Sequence, residues 1–191
     1  MKRLLICGFG PFPASPDNPA GLAVQRLRAE DWAPHGASAA YALLPTVWAE
    51  AAATALASAC AVGCDGVLLV GVAIGAPAFR VETRARNFAE PCRPDAEGQL
   101  WTQGAIEPDG PDARRHRARR GHARGHRESE PAGDPVGRRR RLPVQLHPLP
   151  RARRGLPCGF LHTPEVDADI SLDDIVRAVQ AAADAFVRHL R

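Results

Sequence analysis

The sequence predicts an α/β protein, a three-layer α/β/α sandwich around a mainly parallel, twisted sheet. Two observations carry that class. Gly66 to Val72 is an unbroken apolar run with no polar alternation, as in a parallel strand buried on both faces. Around it, short apolar runs alternate with stretches of helical periodicity, the order that builds βαβ units. With 191 residues, 45% of them hydrophobic, one core suffices, and residues 1–191 read as a single domain.

The elements follow in order. Lys2 to Cys7 is a strand that runs into the Gly8-Phe9-Gly10-Pro11-Phe12 loop. Pro19 to Glu30 is a helix, with Asn18 as N-cap, Pro19 at its first position, and Leu22, Val24 and Leu27 at helical spacing. Ala39 to Leu44 is a second strand, closed by Pro45. Thr46 is the expected cap of the Ala-rich helix that continues to about Ala61. Phe79 to Arg84 alternates apolar and charged residues, so a half-exposed strand is expected. Gly159 to His162 is a short strand ending at Thr163-Pro164. Ser171 starts a last helix, with Asp174 placed for a capping box and Ile175, Val179, Ala182, Phe186 and Leu190 as its apolar stripe.

The middle of the chain breaks this pattern. Between Asp112 and Arg154 stand fourteen arginines against four carboxylates, a net of +10 inside a chain of net +4. Residues 112–157 lack aliphatic periodicity, and the sheet is expected to be disrupted or disordered there. Such a segment touches phosphates readily. It lacks the interleaved aromatics that stack bases, and its histidines have no partners at ligand intervals, so no specific nucleic acid is expected. No apolar run approaches the ~20 residues of a membrane span. The start reads as a strand and not as a leader, because Gly8 breaks the apolar stretch. Five cysteines without a C-x-x-C pair suggest a reduced, cytoplasmic protein with no metal and no cofactor.

An ordered series of motifs is more specific. Gly8-Phe9-Gly10-Pro11-Phe12 with Asn18-Pro19, Leu44-Pro45-Thr46-Val47, Gly71-Val72-Ala73-Ile74-Gly75, Val81-Glu82 with Asn87, Pro94-Asp95 with Gly98, and Gly159-Phe160-Leu161-His162-Thr163-Pro164 occur in that order. Together they resemble the pyroglutamyl peptidase I (pyrrolidone-carboxylate peptidase) family over about residues 2–112 and 158–190. The resemblance implies a cytosolic cysteine peptidase that removes N-terminal pyroglutamate from peptides and forms homo-oligomers. It implies catalytic roles for Glu82 and His162 in a Cys-His-Glu triad. Phe9, Phe12, Asn18, Thr46 and Phe88 are the implied substrate-binding residues. A lactam ring has one N–H and one C=O on an apolar body, and an aromatic slot with a few polar partners suits it.

The family's nucleophile lies in a Gly-x-Leu-Cys-Asn-Tyr motif that this chain lacks. Cys158 is four residues from His162, about 13 Å along a strand, too far for a direct pair. Frame arithmetic accounts for the gap. Codons that permit residues 141–150, read one nucleotide later, spell Gly-Tyr-Leu-Cys-Asn-Tyr-Thr-Leu-Tyr. Codons that permit residues 116–125 spell Thr-Val-Pro-Val-Glu-Ala-Met-Leu-Ala in the same shifted frame. The sequence thus reads as a family member with a frameshifted middle, inactive as written. A non-catalytic lactam-binding pseudoenzyme and a basic-arm nucleic-acid binder are the alternatives.

Overall fold

The computed structural model describes residues 1–82, 84–86, 93–100, 103–105, 113–115 and 156–190. They form β1 (Lys2–Phe9), α1 (Pro19–Ala29), β2 (Ala37–Leu44), α2 (Ala51–Val62), β3 (Gly66–Val72), β4 (Arg80–Glu82), β5 (Arg84–Arg86), β6 (Ala113–Arg115), β7 (Cys158–Thr163) and α3 (Leu172–His189). The main sheet has the order β2-β1-β3-β7-β4. Its first four strands are parallel, and β4 closes the edge antiparallel to β7. A second, two-stranded sheet pairs β5 with β6 antiparallel.

Side-chain alternation sorts the core into two clusters, one on each face of the sheet. Leu4, Ile6, Leu68, Val70 and Leu161 pack against α1 and α3. Leu5, Cys7, Val67, Leu69 and Phe160 pack with Ala55 and Ala59 of α2. The sheet is therefore the middle layer of an α/β/α sandwich, as its continuous apolar strands require.

The helices are set by their ends. Asn18 Oδ1 accepts the Ala20 N–H at 3.2 Å and starts α1, with Pro19 in the first turn. Leu22 points outward, 40% exposed, and the buried stripe is Ala20, Ala23, Val24 and Leu27. Small residues take that face because α1 lies almost on the sheet: a Cβ on Gly21 would stand 2.3 Å from the Phe9 carbonyl oxygen. α2 starts one turn later than the sequence suggests, after Glu50, which makes no side-chain cap, and it ends at Gly63 in a left-handed conformation. Thr46 is not its cap. α3 begins with the expected capping box: Ser171 Oγ accepts from Asp174 N–H at 3.2 Å, and Asp174 Oδ2 accepts from Ser171 N–H at 2.9 Å. Its buried stripe is Ile175, Val176, Val179, Ala183 and Val187; Ala182 and Phe186 flank it, half-buried.

The Arg-rich stretch begins in described structure, at β6. The expectation of disruption over 112–157 does not hold at Ala113–Arg115, which pair with β5, while residues 112 and 116–155 lie outside the described residues.

Two substitutions test this architecture by urea unfolding. Gly21→Ala forces α1 away from the Phe9 carbonyl and should cost about 1–3 kcal/mol. Ser171→Ala removes one half of the capping box and should cost about 1 kcal/mol. An unchanged midpoint in Gly21→Ala would show that α1 has slack against β1.

Candidate active site

The carboxyl ends of β1, β3 and β7 lie side by side, the edge where open parallel sheets assemble their sites. His162 comes from this end of β7. Phe160 and His162 alternate with Leu161, so the imidazole rises on the α2 face of the sheet while Leu161 packs with α1 and α3. The Phe160 ring lies against the imidazole, centroids 4.6 Å apart and planes at 39°. Phe9, at the end of β1, sits 6.1 Å from Phe160 in turn. Gly71, paired with His162 in register, makes room for this stack. A Cβ there would stand 2.8 Å from Phe160 Cζ.

β4 delivers the acidic partner. Its antiparallel register sets Arg80 opposite His162 and Glu82 opposite Phe160. Glu82 Oε1 lies 3.2 Å from His162 Nε2. The approach is off the line of a hydrogen bond, and neither ring nitrogen makes one to a described residue. The same carboxylate oxygen lies 3.2 Å from Arg80 Nε. His162 is 1% exposed, whereas Glu82 and Arg80 are about one-third and two-fifths open to solvent. Burial, and secondarily the Arg80 guanidinium, push the imidazole pKa down to about 4. At neutral pH the ring is uncharged, so one nitrogen keeps a lone pair. A neutral imidazole beside a carboxylate is the arrangement of a general base and its orienter.

The remaining sequence-predicted residues divide. Asn18 and Thr46 converge on one atom: Asn18 Nδ2 donates to the Gly10 carbonyl at 3.0 Å, and Thr46 Oγ1 donates to it at 2.8 Å. Gly10 N–H donates to Leu44 O at 2.8 Å. The β1 loop is thus sewn to both α1 and the segment after β2. Phe12, half-buried, closes a bridge with Ser15 in the same loop. Phe88 lies outside the described residues.

Sequence reasoning gave Asp95 no role beyond its motif, yet it anchors the far rim. Asp95 Oδ1 accepts from the N–H groups of Glu97 and Gln99 at 2.9 and 2.8 Å, and Oδ2 accepts from Trp48 N–H at 3.1 Å. Ala96 N–H adds a bond to Thr46 O at 2.8 Å. Burial opposes ionisation of Asp95, but the three N–H donors outweigh it and hold its carboxyl below the usual range. The available signal was an Asp three residues before Gly98, a turn pattern.

No described thiol is poised near the imidazole. Cys7 is fully buried in β1, two strands from β7, and burial drives its pKa far up. Cys158 starts the same strand as His162, and burial pushes its thiol up to about 12. Cys64 is buried before β3, Cys60 is exposed on α2, and Cys92 lies outside the described residues. Among the described residues no group of His, Cys, Asp and Glu is arranged to hold a metal ion.

A parallel sheet covered on both faces, with an acid–imidazole pair at the carboxyl ends of its strands, defines an α/β/α enzyme scaffold built for base-assisted chemistry. The comparisons with known proteins narrow the class. The profile of the family described as "Pyroglutamyl peptidase" matches residues 2–118. A pyrrolidone-carboxylate peptidase of Deinococcus radiodurans is 36% identical, with 97% of this chain and 94% of that protein covered. The crystal structure of pyroglutamyl peptidase I from Bacillus amyloliquefaciens superposes with a TM-score of 0.76 at 25% identity, covering 98% and 96% of the two chains. That of pyrrolidone carboxyl peptidase from Thermus thermophilus gives 0.69 at 25%, covering 95% and 98%. The chain belongs to the pyroglutamyl peptidase family of cysteine peptidases.

The buried imidazole makes stability depend on pH. An unfolded imidazole binds its proton near pH 6.5, and His162 in the folded chain resists protonation down to about 4. Its neutral-state contribution is therefore complete above about pH 6.5 and lost as pH falls towards 4. Urea midpoints should drop across that window, and the drop should shrink in His162→Gln. Equal slopes in the two proteins would show that His162 does not carry the effect.

Proposed function

We propose that this chain is built as a cysteine-type omega peptidase that removes N-terminal pyroglutamate from peptides, and that as written it does not turn over. The observation that carries the reading is the Glu82–His162 pair, in place on the family scaffold with no described thiol beside it. The family profile stops at residue 118, just inside the Arg-rich run, which supports a break in the reading frame at that point. No helix among the described residues is long and apolar enough to cross a membrane. The cytoplasm and homo-oligomers remain part of the proposal.

In the complete site, the neutral His162 imidazole takes the proton of a cysteine thiol as the sulfur attacks the pyroglutamyl carbonyl carbon. Glu82 holds the ring and favours the imidazolium that forms. The imidazolium then gives its proton to the leaving amine, and water, activated by the same base, hydrolyses the thioester. Phe9 and Phe12 supply apolar walls for the lactam body, with Phe88 as a further wall. Asn18 and Thr46 act by fixing the Gly10 loop, and the Thr46 oxygen keeps lone pairs for a lactam N–H.

A pseudoenzyme that binds the lactam without cleaving it is the second reading, favoured by the same lack of a described thiol near His162. Pyroglutamate that raises the melting temperature of a chain without turnover would support it.

The decisive assay is hydrolysis of a fluorogenic pyroglutamyl amide by two purified proteins. One is the chain as written, in which Val144 and Gln145 straddle the expected nucleophile codon. The other carries the shifted-frame translation of 116–157. The first should be inactive and the second active and blocked by iodoacetamide. In the second, Glu82→Gln or His162→Gln should lower kcat by about 10²–10⁴-fold. Equal, iodoacetamide-sensitive activity in both proteins would overturn the reading.

A further inference from the structure

The Glu82 carboxylate has two claimants. His162 Nε2 and Arg80 Nε each stand 3.2 Å from its Oε1. Residues directly opposite in an antiparallel pair share a face, so Arg80 and Glu82 both rise beside the imidazole from the edge strand. The other described elements around the ring bring little charge. β3 presents Gly71 and β1 presents Phe9 across Phe160. On β7 itself the neighbours are Phe160 and Thr163, with the Cys158 thiol kept neutral by burial. Glu165, further along, accepts from the Gly75 N–H at 3.0 Å.

We propose that Arg80 is a positioning residue: by sharing the Glu82 carboxylate it keeps the His162 imidazole neutral and its free nitrogen available as a base. A carboxylate alone beside an imidazole favours the imidazolium, by about 1–3 pKa units at such range. Arg80 cancels that pull and adds a direct repulsion of its own. Buried His162 thus stays uncharged next to an acid that would otherwise protonate it. A thiol placed beside such a ring is deprotonated during attack, not beforehand as a resting thiolate–imidazolium pair. The inference deepens the reading of Glu82 and His162 given above and rests on it, but its test needs no turnover.

The test is a pH titration of the His162 ring nitrogens by ¹⁵N NMR on the full chain as written, against three variants. In the parent chain the ring should remain neutral down to about pH 5. In Arg80→Gln the midpoint should rise by about one unit, the low end of the range because both charged partners are partly solvated. Arg80→Lys keeps the positive charge and should restore most of the parent behaviour. Arg80→Met keeps the aliphatic stem on the edge strand and should match Arg80→Gln, which separates lost charge from lost packing. A midpoint unmoved in both Arg80→Gln and Arg80→Met, or raised equally in Arg80→Lys, overturns the assignment. Peptidase assays play no part in it, so failure here and failure of the proposed activity are read from different experiments.

Discussion

Burying an imidazole in a sheet forces a choice of charge state, and the surroundings of His162 make that choice in stages. Desolvation alone favours the neutral ring, because the protonated form loses its hydration on the α2 face. The carboxylate of Glu82 would reverse this if it stood alone. It does not: the antiparallel register of β4 brings Arg80 to the same oxygen. β4 is only three residues long, and its pairing with β7 fixes its register. β7 in turn is held by β3, the most continuously buried of the described strands.

Legibility followed the size of the physical signal. The sequence marks both ends of β3 because seven apolar residues in a row leave no other solution. The α3 capping box was equally plain, since Ser171 and Asp174 each need the other's backbone N–H. Leu22 misled: its spacing suited the buried face, but the close contact of Gly21 with the Phe9 carbonyl turns small residues inward instead. Thr46 misled for a different reason. A hydroxyl before a helix has a local use as a cap, and only the folded chain offers the Gly10 carbonyl, 36 residues away, as the better acceptor. Arg80 carried no signal at all. Its meaning is the shared oxygen, which exists only once β4 lies on β7.

The loops near the Glu82–His162 pair are cross-linked to one another. Their bonds run among residues 8–18, 44–48 and 93–100. Gly10 O takes two side-chain donors, and Asp95 takes three backbone N–H groups. Each bond in such a buried network is worth on the order of 1 kcal/mol net, and losing a partner costs more than that. The Glu82–His162 pair is built from β4 and β7.

Among the described thiols, Cys7 and Cys158 are poorly placed to act beside His162. Sulfur attack needs a partly exposed thiol with a lowered pKa, within reach of the base. Cys7 fails on exposure, and burial raises the pKa values of both Cys7 and Cys158. Reach fails as well. Cys158 is on the same strand as His162, so the rise of about 3.3 Å per residue that puts both side chains on one face also keeps them four steps apart. Cys7 is separated by the width of two strand spacings, about 10 Å, before any offset along the strands is added. Moving either thiol towards the imidazole would mean slipping the register of the central sheet, and every residue of slip turns the apolar side chains of that strand to the wrong face.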